Sequence, residues 1–301
     1  MLAAAALAQQ PAALWLAKSS VPAVAGEPFI VTSRVAEVAV PLAVADCNGK
    51  PVAELGRDDL RILDNGSPAT ITEIRREEEQ PLRLALVVDW SDSVRKDLDF
   101  ERKVALDFLR AALRPDTDQA MVVGFRYRVE VTQALTGDLQ RLDAGLRPVG
   151  GVPLSSVYDA LIAATDALRD TDPGLPQRRA IVLLSDGNDN VSAHAWSDVV
   201  EAAERSNITI YTIAPRRPRA NVRGEQVLLK LASVTGGRAF FIPPTGEQPA
   251  FDAIQQNLRL RYSVYFKPGA VGGDRYRTLE ITPRGRNLRI WARHGYYADW
   301  E

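Results

Sequence analysis

An open α/β sheet with a small β domain beside it is the fold that this 301-residue sequence predicts, and three observations carry it. Six short apolar runs lie between Leu84 and Ile242, most of them separated by segments of helical length and spacing. The first run, Leu84–Val88, is apolar without a break, as a strand buried on both faces of a parallel sheet is. Outside this region the texture changes to short alternating segments divided by Gly, Asn and Pro turns, which reads as antiparallel β structure.

Taken in order, residues 1–26 form an apolar, alanine-rich tail. Ala6-Leu7-Ala8 fits the small-x-small pattern of a secretory cleavage site, so the tail is expected to be a truncated signal and the protein to work outside the cytoplasm. Residues 27–80 form an N-terminal β segment: Pro28–Ala45, a turn at Asn48-Gly49, Leu60–Leu63, a turn at Asp64–Pro68, and Ala69–Ile74. The charged run Arg75–Gln80 reads as a solvated connector. From 81 to 260 the expected strands are Leu84–Val88, Ala120–Phe125, Val129–Ala134, Ala180–Ser185, Ile208–Ala214 and Arg238–Ile242. The expected helices are Asp97–Leu113, Leu139–Leu146, Val157–Leu168, Ala195–Arg205, Gln226–Val234 and Phe251–Leu260. Residues 261–301 return to β texture at Tyr262–Phe266, Tyr276–Thr282 and Leu288–Ala292. Each end alone supplies about three short strands, a marginal unit, so the two ends are expected to pack together.

Composition narrows the function. A formal net charge of −1 provides no general basic field for nucleic acid. The single cysteine, Cys47, rules out an internal disulfide framework. No apolar run approaches the ~20 residues of a membrane span. His194 and His294, the only histidines, lie in segments without a paired nucleophile, and no glycine-rich phosphate loop is present.

What core packing explains poorly is the end of the first apolar run, Asp89-Trp90-Ser91-Asp92-Ser93. In open α/β sheets, ligands bind outside the carboxyl ends of the strands. A second run ends in the same way, at Leu184-Ser185-Asp186-Gly187. Carboxylates and hydroxyls without His or Cys suit a hard divalent cation such as Mg²⁺, or Mn²⁺ or Ca²⁺, rather than zinc. Trp90 is either an exposed anchor for a partner or a residue packed against a helix. The segment Pro215–Glu225, with Arg216, Arg217, Arg219 and Arg223, leaves the sheet at the same edge and reads as a basic rim or a solvated loop.

These motifs resemble the metal-ion-dependent adhesion site of von Willebrand factor type A domains, over roughly Leu82–Gln256. The flanks VPLAVADCNGKPVAELGRDDLRILDNG and RYSVYFKPG…YRTLEI…ARHGYY resemble bacterial VWFA-related proteins of the acidobacterial type. The resemblance implies a doubly wound, mostly parallel six-stranded sheet with metal at its apex, and protein binding rather than catalysis. Carried over, Asp89, Ser91 and Ser93 supply the first loop and Asp186 the third. In the second loop the family's Gly-Gly-Thr is replaced by Gly150-Gly151-Val152-Pro153-Leu154-Ser155-Ser156. Counting back from Tyr158-Asp159 puts Ser155 at the threonine position, with Ser156 as an alternative, and counting forward from the glycines puts Val152 there. Asp189 and Asn190 read as groups supporting the ligands or capping a helix.

The expected function is therefore a divalent-metal-dependent adhesion module that captures a carboxylate of a protein partner. The alternatives are a scaffold with a vestigial site and, less favoured, a metal-dependent hydrolase. Asp186–Asn190 imitates the start of an EF-hand loop, but Val191 stands at its glycine position and Ser197 at its bidentate glutamate position. A haloacid-dehalogenase-type nucleophile at Asp89 is disfavoured because Ser91 replaces the second aspartate such enzymes use.

Overall fold

The computed structural model describes residues 37–91, 98–147, 153–171, 176–215, 222–242, 248–259, 261–268 and 275–298. The strands are β1 (Val38–Asp46), β2 (Leu60–Asp64), β3 (Ser67–Arg76), β4 (Leu82–Asp89), β5 (Gln119–Phe125), β6 (Val129–Thr136), β7 (Arg178–Leu184), β8 (Ile208–Pro215), β9 (Ala239–Ile242), β10 (Arg261–Lys267), β11 (Tyr276–Pro283), β12 (Leu288–Ala292) and β13 (Gly295–Tyr297). The helices are α1 (Leu98–Ala112), α2 (Leu139–Gly145), α3 (Val157–Arg169), α4 (Trp196–Arg205), α5 (Val222–Val234) and α6 (Gln248–Arg259).

Six strands form one sheet in the order β6-β5-β4-β7-β8-β9, parallel except for β6, which runs antiparallel to β5. The alternation along β4 shows why its sequence is apolar throughout. Leu82, Leu84, Leu86 and Val88 pack with Phe108 and Leu109 of α1 and with Ile254 and Leu258 of α6. Ala85 and Val87 point the other way, into a second core with Leu161 of α3, Val199 of α4 and Leu228 of α5. The sheet is therefore covered on both faces, the doubly wound arrangement. The chain leaves β4 to build β5 on one side and later returns to build β7 on the other. The end of β4 is thus the point where strand order reverses, and a crevice opens there.

The remaining seven strands form a second sheet in the order β12-β1-β10-β3-β2-β11-β13. Strands from the two chain ends interleave, with β1 lying between β10 and β12 in antiparallel register. Val40, Leu42, Ile62, Val264, Phe266 and Tyr296 are buried in its separate core. The β2–β3 turn has positive φ at both central residues, Asn65 (47°) and Gly66 (75°), as a tight two-residue hairpin requires. After Asn48-Gly49 only a single bridge forms, between Ala45 and Pro51, in place of a full hairpin. Strand β13 has three residues, too few for a periodicity to register.

Two expectations need correction or restriction. Arg75 and Arg76 belong to β3, and Glu77 is buried rather than solvated. Glu77 accepts a hydrogen bond from the Ser263 hydroxyl and lies 3.7 Å from Arg261, which in turn bonds Thr209 on β8. Glu77 thus bridges the two sheets while Arg75, Arg76 and Glu79 stay exposed, and charge alone does not tell a bridging residue from a solvated one. Residues 28–36, at the start of the first expected strand, lie outside the described residues.

The junction also holds Glu204 of α4, 3% exposed, with Tyr276, Arg293 and Glu201 around it. Burial pushes its carboxyl up to about 7 from the ordinary 4.5, and the nearby Arg293 cation only partly opposes this. The folded state therefore keeps a proton that the unfolded chain loses, so stability falls as pH rises from about 4.5 to about 7. The loss is expected to be no more than about 3 kcal/mol. Urea denaturation at the two ends of this window should show it for the wild type, with the slope flattened in Glu204→Gln. An unchanged slope in that variant would assign the effect to other groups.

Candidate metal centre

Asp89 is the last residue of β4 and is fully buried. Its Oδ1 accepts from the backbone N–H of Ser91 at 2.9 Å. Its Oδ2 accepts from the hydroxyls of Ser185 at 2.7 Å and Ser155 at 3.3 Å. Among the described residues it has no cationic partner. Burial pushes its pKa up, the Ser91 and Ser185 hydrogen bonds act against this, and the nearby charge of Asp186 adds to it. A buried carboxylate that makes bonds only to neutral groups is costly as an anion. A divalent cation is the kind of partner that removes that cost.

The three loops are fastened to one another by groups far apart in sequence. Asn190 accepts from the Ser155 N–H at 2.9 Å through its side chain, and its own N–H donates to the Ser155 carbonyl at 3.0 Å. Ser192 and Asp189 supply acceptors for the first free N–H groups of α3, at Tyr158 and Asp159. They cap the helix from the third loop, because residue 156 makes no side-chain cap. Asp159 in turn accepts from the N–H groups of Ala193 and His194. Gly187 has φ +78°, and a Cβ on it would come 2.4 Å from the Gly224 carbonyl, so the third loop is packed tightly on the first turn of α5.

The structure places the expected residues unequally. Asp89, Ser91 and Ser155 come together, all buried, and Asp186 is half-buried beside them, within electrostatic reach of Asp89. The Ser156 hydroxyl donates to the Arg126 carbonyl at 2.7 Å, away from Asp89. Asp189 is engaged with Ser192 at 2.5 Å. Trp90 requires correction as an exposed anchor. It is 2% exposed, and its ring lies where a Cβ on Gly124 would be, 2.0 Å from the nearest ring carbon. A residue that follows a buried strand without a break continues into the core, and the missing side chain at Gly124 makes room for an indole. Ser93, Arg216, Arg217, Arg219 and Gly150–Val152 lie outside the described residues. Arg223 is exposed in the first turn of α5.

One participant, Ser185, was not singled out from the sequence. Ser185 is one step past the register pair Val88–Leu184, so aligning LALVVD with AIVLLSD would have set it beside Asp89. Asn190, expected as a supporting or capping group, holds Ser155 through a contact 35 residues away. Among the described residues no three His, Cys, Asp or Glu side chains gather. A cation here would therefore depend on serine oxygens as well as carboxylates, a donor set that suits hard ions.

Comparison with known proteins bears on the fold that carries these residues. Residues 84–188 match the family model of the von Willebrand factor type A domain. No curated protein sequence matches the chain. Among solved structures, proximal thread matrix protein 1 from the mussel byssus, in a form with a zinc-occupied MIDAS motif, aligns with a TM-score of 0.51 at 15% identity. That alignment covers 67% of this chain and 50% of the mussel chain, so the similarity spans about half of that protein. BatB from Bacteroides thetaiotaomicron aligns at 16% identity and TM-score 0.46, over 59% of this chain and 97% of its own. The vWF domain of the type V pili tip protein Mfa5 from Porphyromonas gingivalis aligns at 13% and 0.49, over 59% and 94%. With its doubly wound six-stranded sheet and the match over residues 84–188, the chain carries a von Willebrand factor type A domain.

Proposed function

We propose that the chain is a divalent-metal-dependent protein-binding module. Asp89, Ser91, Ser155 and Asp186 would hold the ion together with Ser93, directly or through water. When bound, a divalent cation supplies an electrophilic position that an oxygen of a partner's carboxylate can fill. The observation that carries the reading is the buried Asp89 carboxylate, ringed by serine hydroxyls and lacking a cation among the described residues. Ser155 is favoured over Ser156 because the Ser156 hydroxyl is committed to a backbone carbonyl. The zinc-occupied motif of the mussel structure supports metal binding as a property open to this fold. Mg²⁺, Mn²⁺ or Ca²⁺ is the expected ion on donor chemistry. A place outside the cytoplasm follows from the reading of the apolar N-terminal tail. No helix among the described residues is long and apolar enough to cross a membrane.

Calorimetric titration of the full chain with Mg²⁺, Mn²⁺, Ca²⁺ and Zn²⁺ is the direct test. Saturable heat for at least one ion, absent in Asp89→Ala, is the expected result. No heat and no thermal shift at millimolar concentrations of any of the four would reject metal dependence and leave a scaffold with a vestigial site.

A further inference from the structure

The described surface exposes few large apolar side chains, and most of those that it does expose surround one crevice. Tyr127 (44% exposed), Leu154 (40%), Val191 (40%) and Val222 (64%) all lie at the edge of the six-stranded sheet where β4 ends. The others, Val131, Leu229 and Tyr276, are scattered over β6, α5 and β11. Isolated exposed apolar residues need no explanation, but a group gathered around a polar cleft does.

Each of the four is anchored to a loop of the site. Tyr127 stands in the β5–β6 turn, two residues beyond Phe125, the register neighbour of Asp89. The Arg126 carbonyl in that turn accepts from both the N–H and the hydroxyl of Ser156. Leu154 immediately precedes Ser155. Val191 follows Asn190, whose side chain and backbone hold Ser155. Val222 opens α5, whose first turn presses on Gly187. The guanidinium groups of Arg126 and Arg128 lie 5.7 and 5.3 Å from the centroid of the Tyr127 ring, so the aromatic is held in place although it faces solvent. Arg128 and Arg223 are exposed, and among the described residues neither forms an ion pair with a carboxylate.

We propose that Tyr127, Leu154, Val191 and Val222 form an apolar collar, with Arg128 and Arg223 as its basic rim, that seats a protein segment carrying an acidic side chain flanked by bulky apolar residues. The proposal rests on the reading of the site as a metal-dependent binder and adds which flanking chemistry the partner must have. Tyr and Arg around a desolvated centre are the residue types that carry binding energy at protein interfaces. A nucleic acid would require many phosphate contacts from a chain with net charge −1. An acidic side chain meets the two arginines as it approaches, which quickens encounter and excludes basic competitors.

The test uses the full chain and a fixed panel of short fluorescein-labelled peptides. Each has a central Asp or Glu flanked by Leu, Phe or Tyr, with Asn or Gln counterparts and versions flanked by Ser. Anisotropy in Mg²⁺ should show binding of the acidic, apolar-flanked peptides, weakened roughly tenfold or more by Tyr127→Ser and by Arg128→Glu. Both substitutions lie on the surface, and the metal-induced thermal shift should be unchanged in each. Equal binding of Ser-flanked peptides, equal binding by both variants, or association with phosphatidylserine vesicles in place of any peptide would overturn the collar and leave the metal reading standing. Flank-dependent binding that persists unchanged in chelator would overturn the metal reading and leave the collar.

Discussion

Asp89→Asn is expected to be at least as stable as the wild type in chelator and to gain nothing from divalent cations. The reason is the environment of the carboxylate. It is fully buried, burial raises its pKa, and the described residues give it hydroxyl and N–H donors but no cation. Asparagine keeps the shape and the acceptor for the Ser91 N–H. Its amide N–H groups can be accepted by the Ser185 and Ser155 hydroxyls, which reverse their hydrogens freely. The substitution thus removes the cost of an uncompensated buried anion and loses little hydrogen bonding. In saturating metal the order reverses. An ion at a hundred times its dissociation constant stabilises the wild type by about 2.7 kcal/mol and the variant not at all. Urea denaturation with and without Mg²⁺ measures both halves. If the variant and the wild type gain equally from the ion, Asp89 is not a ligand.

The contrast between Asp89 and Ser155 shows what the sequence could and could not tell. Asp89 was legible because an apolar run that ends in a carboxylate breaks the pattern of a buried strand. The doubly wound sheet was legible for a related reason, since strands covered on both faces lack alternation. Ser155 was ambiguous because its loop length departs from the family's, and counting from either end gives a different residue. The geometry that bears on it comes from Asn190 and Arg126, 35 and about 30 positions away, through backbone hydrogen bonds that carry no sequence signature. Trp90 stays open in the sequence, between an exposed anchor and a packed residue, for the opposite reason. Its neighbours in sequence are polar, whereas its neighbour in space is the unoccupied face of Gly124 on the adjacent strand. Glu77 was misread because its partners Ser263 and Arg261 come from the other end of the chain.

The same long-range pairing sets the largest single effect expected outside the metal centre. Arg277 on β11 grips Asp64 at the end of β2 through two parallel bonds, Nε to Oδ1 at 2.7 Å and Nη2 to Oδ2 at 2.8 Å. The side chains are 3% and 0% exposed, so water cannot replace either partner. The pair sits beside the β2–β3 turn, where Asn65 also receives the Thr278 N–H, and it joins an N-terminal strand to a C-terminal one. Asp64→Ala leaves a buried guanidinium without its counterion, and the expected loss is about 3–5 kcal/mol. Replacing both residues, as in Asp64→Leu with Arg277→Met, removes both charges together and should recover most of that loss, since a buried ion pair and a packed apolar pair differ little in net stability. A double-mutant cycle in urea separates the pair's coupling from simple loss of volume. Because β2 and β11 come from opposite ends of the chain, a large coupling energy would mean that the flanking sheet is closed by a charge pair as well as by its apolar core. A cycle that closes to zero would leave that closure to Ile62, Leu279 and the backbone ladder alone.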